Sequence, residues 1–168
     1  TQKNQTYVSV GAVNARGIIQ NNDLDRYNFS VRNTTSMLND KLTMDLSFMY
    51  SNVKEQNMLS QGEYANPLVP VYLFPRGDDF SKYQYYERYD VDRNIKTQFW
   101  PLKENGLSMQ NPYWITNRNM YTNKKDRFLA SGSLKYTITD WLNVSGRVKL
   151  DKETINSEKK MYASTLNV

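Results

Sequence analysis

The sequence predicts an all-β protein made of antiparallel strands. Two runs, residues 128–138 and 142–150, alternate apolar and polar side chains, with only a short break at residues 139–140 between them. Strict alternation on both sides of a short turn predicts a β-hairpin. Each run has about ten residues, which is longer than the ~5–6 usual in globular sheets and near the ~9–11 of a tilted strand that crosses a bilayer.

The first third of the chain repeats this pattern. Alternation near residues 6–12, 27–34 and 42–50 predicts three further strands, so that about five are expected in all. A polar stretch at residues 14–25 connects the first two strands, and residues 38–41 supply a short turn before the third. Every predicted strand therefore has one apolar and one polar face.

A long segment, residues 52–125, differs in composition from the strands around it. It contains all five prolines and thirteen aromatic residues. Prolines exclude a central strand over most of its length, and so many aromatic side chains imply that it folds onto itself, a partner or a ligand. We therefore divide the chain into three strands with their connections (1–51), a long loop (52–125), a hairpin (126–151) and the start of another loop or strand (152–168).

Composition narrows the classes of function. The chain has 168 residues and no apolar run long enough for a transmembrane helix. Its net charge of +5 is mild and scattered, so nucleic acid is not an expected partner. Cysteine and histidine are both absent, which removes thiol chemistry and the commonest general base and metal ligand. We expect no enzymatic activity, no cofactor and no bound metal.

Acidic residues in the long loop suggest two kinds of chemistry, neither of which the sequence favours. A pair of carboxylates can act as acid and base, but a charged loop surface is the commoner role of such residues. The candidates are Asp78, Asp79, Glu87, Asp90 and Asp92. Residues 90–94 also imitate the opening of a calcium loop, but Ile95 replaces the required glycine and Pro101 stands where the closing glutamate belongs.

A binding role suits the loop better. Aromatic faces can stack on sugar rings or apolar side chains, while amides and guanidinium groups hydrogen-bond hydroxyls or carboxylates. The candidate ligand contacts are Asn111, Tyr113, Trp114, Asn117 and Arg118, together with Tyr89, Arg93 and Trp100. The alternative is that Tyr113 and Trp114 anchor the loop to the rest of the fold.

Two interpretations account for strands with one apolar face. The first is a water-soluble antiparallel sheet, such as a secreted carbohydrate-binding module, whose apolar face packs on a core. The second is a membrane β-barrel with its apolar face in lipid and its polar face in the lumen. The connections favour the barrel, because short and long ones alternate as short periplasmic turns and longer extracellular loops do.

Several stretches together resemble the SusC/RagA family of TonB-linked outer-membrane transporters. The resemblance covers most of the chain in order, and it rests on residues 21–23 (NND), 26–28 (RYN), 70–77 (PVYLFPRG), 109–114 (MQNPYW), 117–119 (NRN), 126–128 (DRF) and 138–147 (ITDWLNVSGR). It implies a barrel of about 22 strands with a plug domain in its lumen. It also implies a SusD-like surface lipoprotein as a lid, and import of glycans or peptides driven by TonB–ExbB–ExbD.

The chain departs from that family by what it omits. It shows no signal peptide, TonB box, plug sequence or aromatic carboxy-terminal strand, and about five strands are fewer than the eight of the smallest bacterial barrels. Five strands would also leave two open edges in hydrocarbon. We therefore expect an internal segment of the barrel of an outer-membrane importer, with loop 52–125 outside the cell.

On this interpretation, the two strand faces have different surroundings. The lumen-facing set includes Arg32, Asp45, Lys135, Arg147 and Lys149. The lipid-facing set is Val8, Val10, Phe29, Val31, Met44, Leu46, Phe48, Phe128, Leu134, Val144, Val148 and Leu150.

Overall fold

A computed structural model describes residues 3–58, 64–100 and 109–165. These residues form seven strands, two short α-helices and one 3-10 helix. The strands are β1 (Asn4–Arg16), β2 (Asp23–Met37), β3 (Leu42–Gln56), β4 (Glu87–Asp90), β5 (Ile95–Gln98), β6 (Asn119–Thr139) and β7 (Leu142–Met161). The helices are α1 (Leu68–Tyr72), the 3-10 helix (Phe80–Gln84) and α2 (Pro112–Arg118). None of the described helices is long and apolar enough to span a membrane.

The predicted antiparallel β-architecture is confirmed. Five strands form one sheet in the order β1-β2-β3-β6-β7, and β4 and β5 form a separate hairpin. The five long strands run in sequence order, and the sheet does not close on itself. The expected hairpin between residues 128 and 150 is present as part of β6 and β7.

The strands of that hairpin are twice as long as the alternating pattern predicts. β6 has 21 residues and β7 has 20. β6 begins at Asn119, inside the predicted loop, and β7 continues to Met161. The extensions are mostly polar and lack a regular alternation, so the apolar pattern ends before the backbone pairing does.

Short and long connections alternate in the sheet, as predicted. Residues 38–41 and 140–141 are short turns, whereas the segment between β3 and β6 spans residues 57–118. In the first turn Leu38, Asn39 and Asp40 all have positive φ, at 53°, 54° and 67°. Asn and Asp tolerate this left-handed conformation better than most residues, which explains why a turn can form here without glycine.

The connection between β1 and β2 depends on one glycine. The Gly17 amide donates to the Asn22 carbonyl over 2.7 Å and closes the turn. A Cβ atom at Gly17 would lie 2.3 Å from Oδ1 of Asn22. Only glycine therefore fits this close approach.

The chain divides into two compact units. The first, the sheet unit, contains residues 1–14, 24–54 and 123–156. The second, the loop unit, contains residues 15–23, 55–122 and 157–168.

Contacts within the sheet unit show which residues share a face. The Ser47 and Ser131 hydroxyls are 2.8 Å apart across β3 and β6, whereas the rings of Phe48 and Phe128 lie 6.4 Å apart. Phe48 also lies 6.3 Å from Phe29 on β2. Because neighbouring side chains on a strand point to opposite faces, these pairs define one polar and one apolar face.

The buried hydrophobic core lies in the loop unit. Among the described residues, the buried hydrophobic side chains are Trp100, Met109, Trp114 and Ile115. All four belong to the loop unit. The apolar face of the sheet contributes none of them, which is the reverse of the usual arrangement in a soluble β-protein.

Candidate functional site

The apolar face of the sheet is exposed across all five strands. Leu46 is 46% exposed and Val148 is 76% exposed. We use the name apolar band for a subset of the exposed apolar residues of this face: Val8, Val10, Phe29, Leu46, Phe128, Leu134, Val144, Val148 and Leu150. Monomeric soluble proteins rarely expose contiguous apolar patches larger than a few hundred Å². An exposed apolar band that crosses five strands is therefore unusual for a monomeric soluble protein.

Polar side chains bound the apolar band at both ends. On the side of the short turns, Asn33 Nδ2 donates to the Asn4 side chain over 2.7 Å and to Thr6 Oγ1 over 2.8 Å. On the side of the long connections, Asn52 Nδ2 donates to the Asp126 carboxylate over 2.7 Å. The Tyr50 hydroxyl donates to the same carboxylate oxygen. The band is thus limited in height, with a tyrosine at its loop-side edge.

The opposite face of the sheet carries a network of paired charges. Arg32 binds Asp45 with its Nε and Nη2 atoms, and the Thr34 hydroxyl donates to the same carboxylate over 2.9 Å. Arg127 forms a two-pronged contact with Asp151 at 2.9 and 2.7 Å. Charge-assisted contacts of this kind fix side chains in one geometry. This face therefore carries paired charges, unlike the apolar band.

Within the loop unit, aromatic rings pack around two tryptophans. Trp100 lies 5.5 Å from the Tyr83 ring and 6.1 Å from Phe74. Trp114 has no exposed surface, lies edge-on to Tyr162 at 5.7 Å, and donates its Nε1 hydrogen to Thr165 Oγ1 over 3.0 Å. For Trp114 this burial favours the anchoring alternative over direct ligand contact.

Asn111 is a buried polar hub. Its side-chain oxygen caps α2 by accepting from the Tyr113 amide over 2.9 Å. Its Nδ2 atom donates to the carbonyls of Tyr83 (2.9 Å) and Phe99 (3.0 Å). Pro112 then occupies the first helical position, where proline needs no amide partner. Asn111 therefore ties three segments of the loop together.

An ion-pair cluster joins α2 to the β4–β5 hairpin. Arg118 donates to the Glu87 carboxylate from Nε over 2.8 Å and also from Nη2. Lys96 contacts the same carboxylate across the hairpin, and the Arg118 guanidinium lies 4.8 Å from the Tyr162 ring centre. Burial disfavours the charged form of Glu87, but hydrogen bonds and charges from Lys96 and Arg118 outweigh it and lower the pKa of that carboxyl. The hydrogen bond to Glu87 raises the pKa of Arg118.

The β1–β2 connection also belongs to the loop unit. Asn21 Nδ2 donates to the Thr116 carbonyl over 2.9 Å and to the Asn117 side chain. Asn22 Nδ2 donates to the Asn57 carbonyl over 2.8 Å. The asparagine pair thus holds α2 and the chain after β3 in place.

The predicted ligand contacts fall into two groups in the structure. Asn111, Trp114 and Trp100 are buried, and Asn117, Arg118 and Tyr113 are partly buried with partners inside the loop unit. Tyr89 and Arg93 are exposed, and 59% of the Tyr89 surface is accessible. They lie on the β4–β5 hairpin, apart in sequence from the buried group. Ligand contact by these two residues stays a prediction.

Sequence reasoning missed two partners of the loop core. Ser164 accepts a hydrogen bond from the Gln98 amide over 3.1 Å, and Thr165 accepts the one from Trp114. Thr165 also donates to the Asn119 side chain over 2.8 Å. These contacts link residues 46, 51 and 66 positions apart, so no local pattern reveals them.

Asp78, Asp79 and Asp90 in the loop serve local structure. The Tyr83 hydroxyl donates to Asp78 over 2.7 Å and lowers the pKa of that carboxyl. Asp79 caps the 3-10 helix by accepting hydrogen bonds from Ser81, and these bonds lower the pKa of the Asp79 carboxyl. Asp90 accepts from the Arg93 amide in the hairpin turn. Among the described residues, no group of three or more acidic side chains is placed to hold a metal ion.

The chain matches no protein-family model and no curated protein.

Proposed function

We propose that this chain forms part of the wall of an outer-membrane β-barrel importer of the SusC/RagA type. The observation that carries the proposal is the exposed apolar band on one face of a sheet whose other face is charged. In a transmembrane barrel the outward face is apolar over about 25 Å of height and the lumen face is polar. The polar limits of the band and the alternating connection lengths support the same arrangement.

The alternative, a soluble carbohydrate-binding module, accounts less well for the burial pattern. Such a module would bury one face of its sheet against a second layer. Leu46, Val148 and Leu150 are instead exposed, and the buried hydrophobic residues lie in the loop unit. Exposed aromatics such as Tyr85 and Tyr89 offer faces on which sugars can stack in either case.

The edges of the sheet support a larger barrel. In the described sheet, β1 and β7 are edge strands. Unpaired backbone amides and carbonyls each cost several kcal/mol in hydrocarbon. Further strands of the same barrel would pair with both edges, which agrees with the barrel of about 22 strands that the resemblance implies.

In the proposed importer, each remaining part of the chain has a location and a role. The loop unit lies on the extracellular side, where the exposed residues Tyr89 and Arg93 contact an oligosaccharide or peptide or the SusD-like lipoprotein. The charged sheet face lines the lumen. Energy comes from TonB–ExbB–ExbD through other parts of the barrel protein.

Cell-surface labelling tests the orientation. In a cysteine-free background of the intact barrel protein, Arg93→Cys and Asp140→Cys place single thiols in the β4–β5 hairpin and in the β6–β7 turn. We expect a membrane-impermeant maleimide to label position 93 on whole cells, and position 140 only after the outer membrane is opened. Recovery of the protein in the soluble fraction without detergent, or labelling of both positions on whole cells, would contradict the proposal.

A further inference from the structure

The pairing of β3 with β6 places two lysines directly opposite each other. The Asn57 amide donates to the Tyr121 carbonyl, and the Thr137 amide donates to the Lys41 carbonyl. The two strands therefore have the same register at both ends. Ser47 facing Ser131 and Asn52 facing Asp126 keep the same register between them. One same-face step beyond Asn52 and Asp126 brings Lys54 opposite Lys124.

Like charges directly opposite each other across a strand pair are destabilising. Both lysines are exposed, and among the described residues neither lies within salt-bridge distance of a carboxylate. Asp126 lies on the same face and attracts Lys124, but its single negative charge offsets at most one of the two lysines. The pair therefore has a net positive charge that the sheet itself does not neutralise.

The position of this pair suggests what neutralises it. Alternation along β3 and β6 puts Lys54 and Lys124 on the face of the apolar band, immediately beyond its polar edge on the side of the long connections. Lys152 is the next residue on the same face of β7 after Leu150, and it is also exposed. The contact between Arg127 and Asp151 places this part of β7 beside the same part of β6, so β7 adds a third lysine on this face.

We infer that Lys54, Lys124 and Lys152 form a binding site for the phosphate groups of lipid headgroups. This inference rests on the proposed function, because it requires that the apolar band meets acyl chains. Lysine is a compact cation that binds phosphate as a point charge, and basic side chains beside a membrane-spanning segment bind anionic headgroups. A phosphate between Lys54 and Lys124 removes their repulsion.

The test compares two pairs of charge removals in the intact barrel protein. K54Q/K124Q removes the opposed pair, and K135Q/K149Q removes two lysines from the polar face. Each protein in neutral detergent is titrated with lipid A, a lipid carrying phosphate monoesters, and with its dephosphorylated form, with binding counted by native mass spectrometry. Each lysine should contribute about fivefold to binding, so K54Q/K124Q should bind lipid A at least tenfold more weakly.

The control pair should bind lipid A like the parent protein, and K54R/K124R should retain most of the affinity because it keeps the charge. Equal loss in both pairs, no preference for lipid A over its dephosphorylated form, or full competition by millimolar inorganic phosphate would overturn the inference. Quenching of a fluorophore at position 46 by brominated acyl chains reports lipid contact separately. Quenching without phosphate preference refutes this inference alone, whereas absent quenching refutes the proposed function.

Discussion

At the scale of single residues, the loop unit is held by a few buried polar side chains. Asn111 uses its oxygen for the α2 cap and both amide hydrogens for carbonyls of distant segments. An asparagine that satisfies three backbone groups at once can be replaced by no other side chain without leaving some of them unpaired. The MQNPYW stretch is therefore explained by folding of the loop before any ligand is invoked.

Replacing this hub should loosen the loop unit. Asn111→Ala removes a helix cap and leaves two buried carbonyls without donors, which should cost about 2–4 kcal/mol. Hydrogen exchange of the α2 and β4–β5 amides measures the effect locally. The control is Asn143→Ala, which removes an exposed asparagine on β7 and should change these rates little. Similar rates in both variants would contradict the role of Asn111.

Acid should weaken the contact between α2 and the β4–β5 hairpin. The folded-state pKa of Glu87 lies below its ordinary value of 4.5. Its pairing therefore contributes stability that is complete above the unfolded pKa and is lost as the pH falls through the lower folded pKa. We expect protection factors of the β4–β5 amides to fall between pH 5 and pH 3, more steeply in the parent protein than in Glu87→Gln.

The comparison between those two proteins isolates the Glu87 contribution. Asp78 and Asp79 also have lowered pKa values. Both residues are present in the parent protein and in the variant, so their contribution to the pH dependence is the same in each. A parent protein and a Glu87→Gln variant with the same pH profile would show that this ion-pair cluster does not stabilise the hairpin.

At the scale of elements, each strand of the sheet has one apolar and one polar face. Leu46 and Ser47 are consecutive residues on β3 that point to opposite faces. Substitutions at these two positions therefore compare the two faces at nearly the same height in the sheet. Leu46→Arg should destabilise the membrane-inserted protein by about 2–4 kcal/mol, whereas Ser47→Arg, on the charged face, should be tolerated better. Refolding into lipid vesicles along a urea titration measures both. Equal effects would refute the face assignment.

The sequence predicts an element well when neighbouring residues determine that element, and poorly when contacts with distant residues do. The hairpin through residues 128–150 and the turn at Asn39 and Asp40 follow from alternation and turn chemistry, and both are present. The start of β6 at Asn119 was not predicted, because its first residues lack an apolar alternation and pair through backbone bonds such as that between Asn57 and Tyr121. The β4–β5 hairpin was not predicted because each of its strands has only four residues. The aromatic residues on both sides of these strands hide any alternation of apolar and polar side chains.

The candidate site was predicted less well than the fold, for a related reason. Aromatic residues beside amides look the same in sequence whether they face a ligand or a core. Trp114 is buried by Tyr162 and Thr165, which lie far along the chain. Only the three-dimensional contacts separate it from an exposed residue such as Tyr89.

At the scale of the whole molecule, the two units have opposite relations to water. The loop unit buries its tryptophans, whereas the sheet unit leaves its apolar face uncovered. In the proposed barrel, this sheet would gain stability by transferring its apolar face to lipid, since burial of apolar area from water is favourable at about 25 cal/mol per Å². The central claim is therefore that acyl chains cover the apolar band.

Spin-label accessibility tests that claim most directly. Single nitroxides at positions 46, 128 and 148 of the apolar band, and at positions 47, 131 and 147 of the polar face, are compared in lipid vesicles. We predict that the first three collide with oxygen and not with a water-soluble nickel chelate, and that the other three show the reverse preference. Nickel access at the apolar band, or exclusion of both reagents from it, would contradict the account.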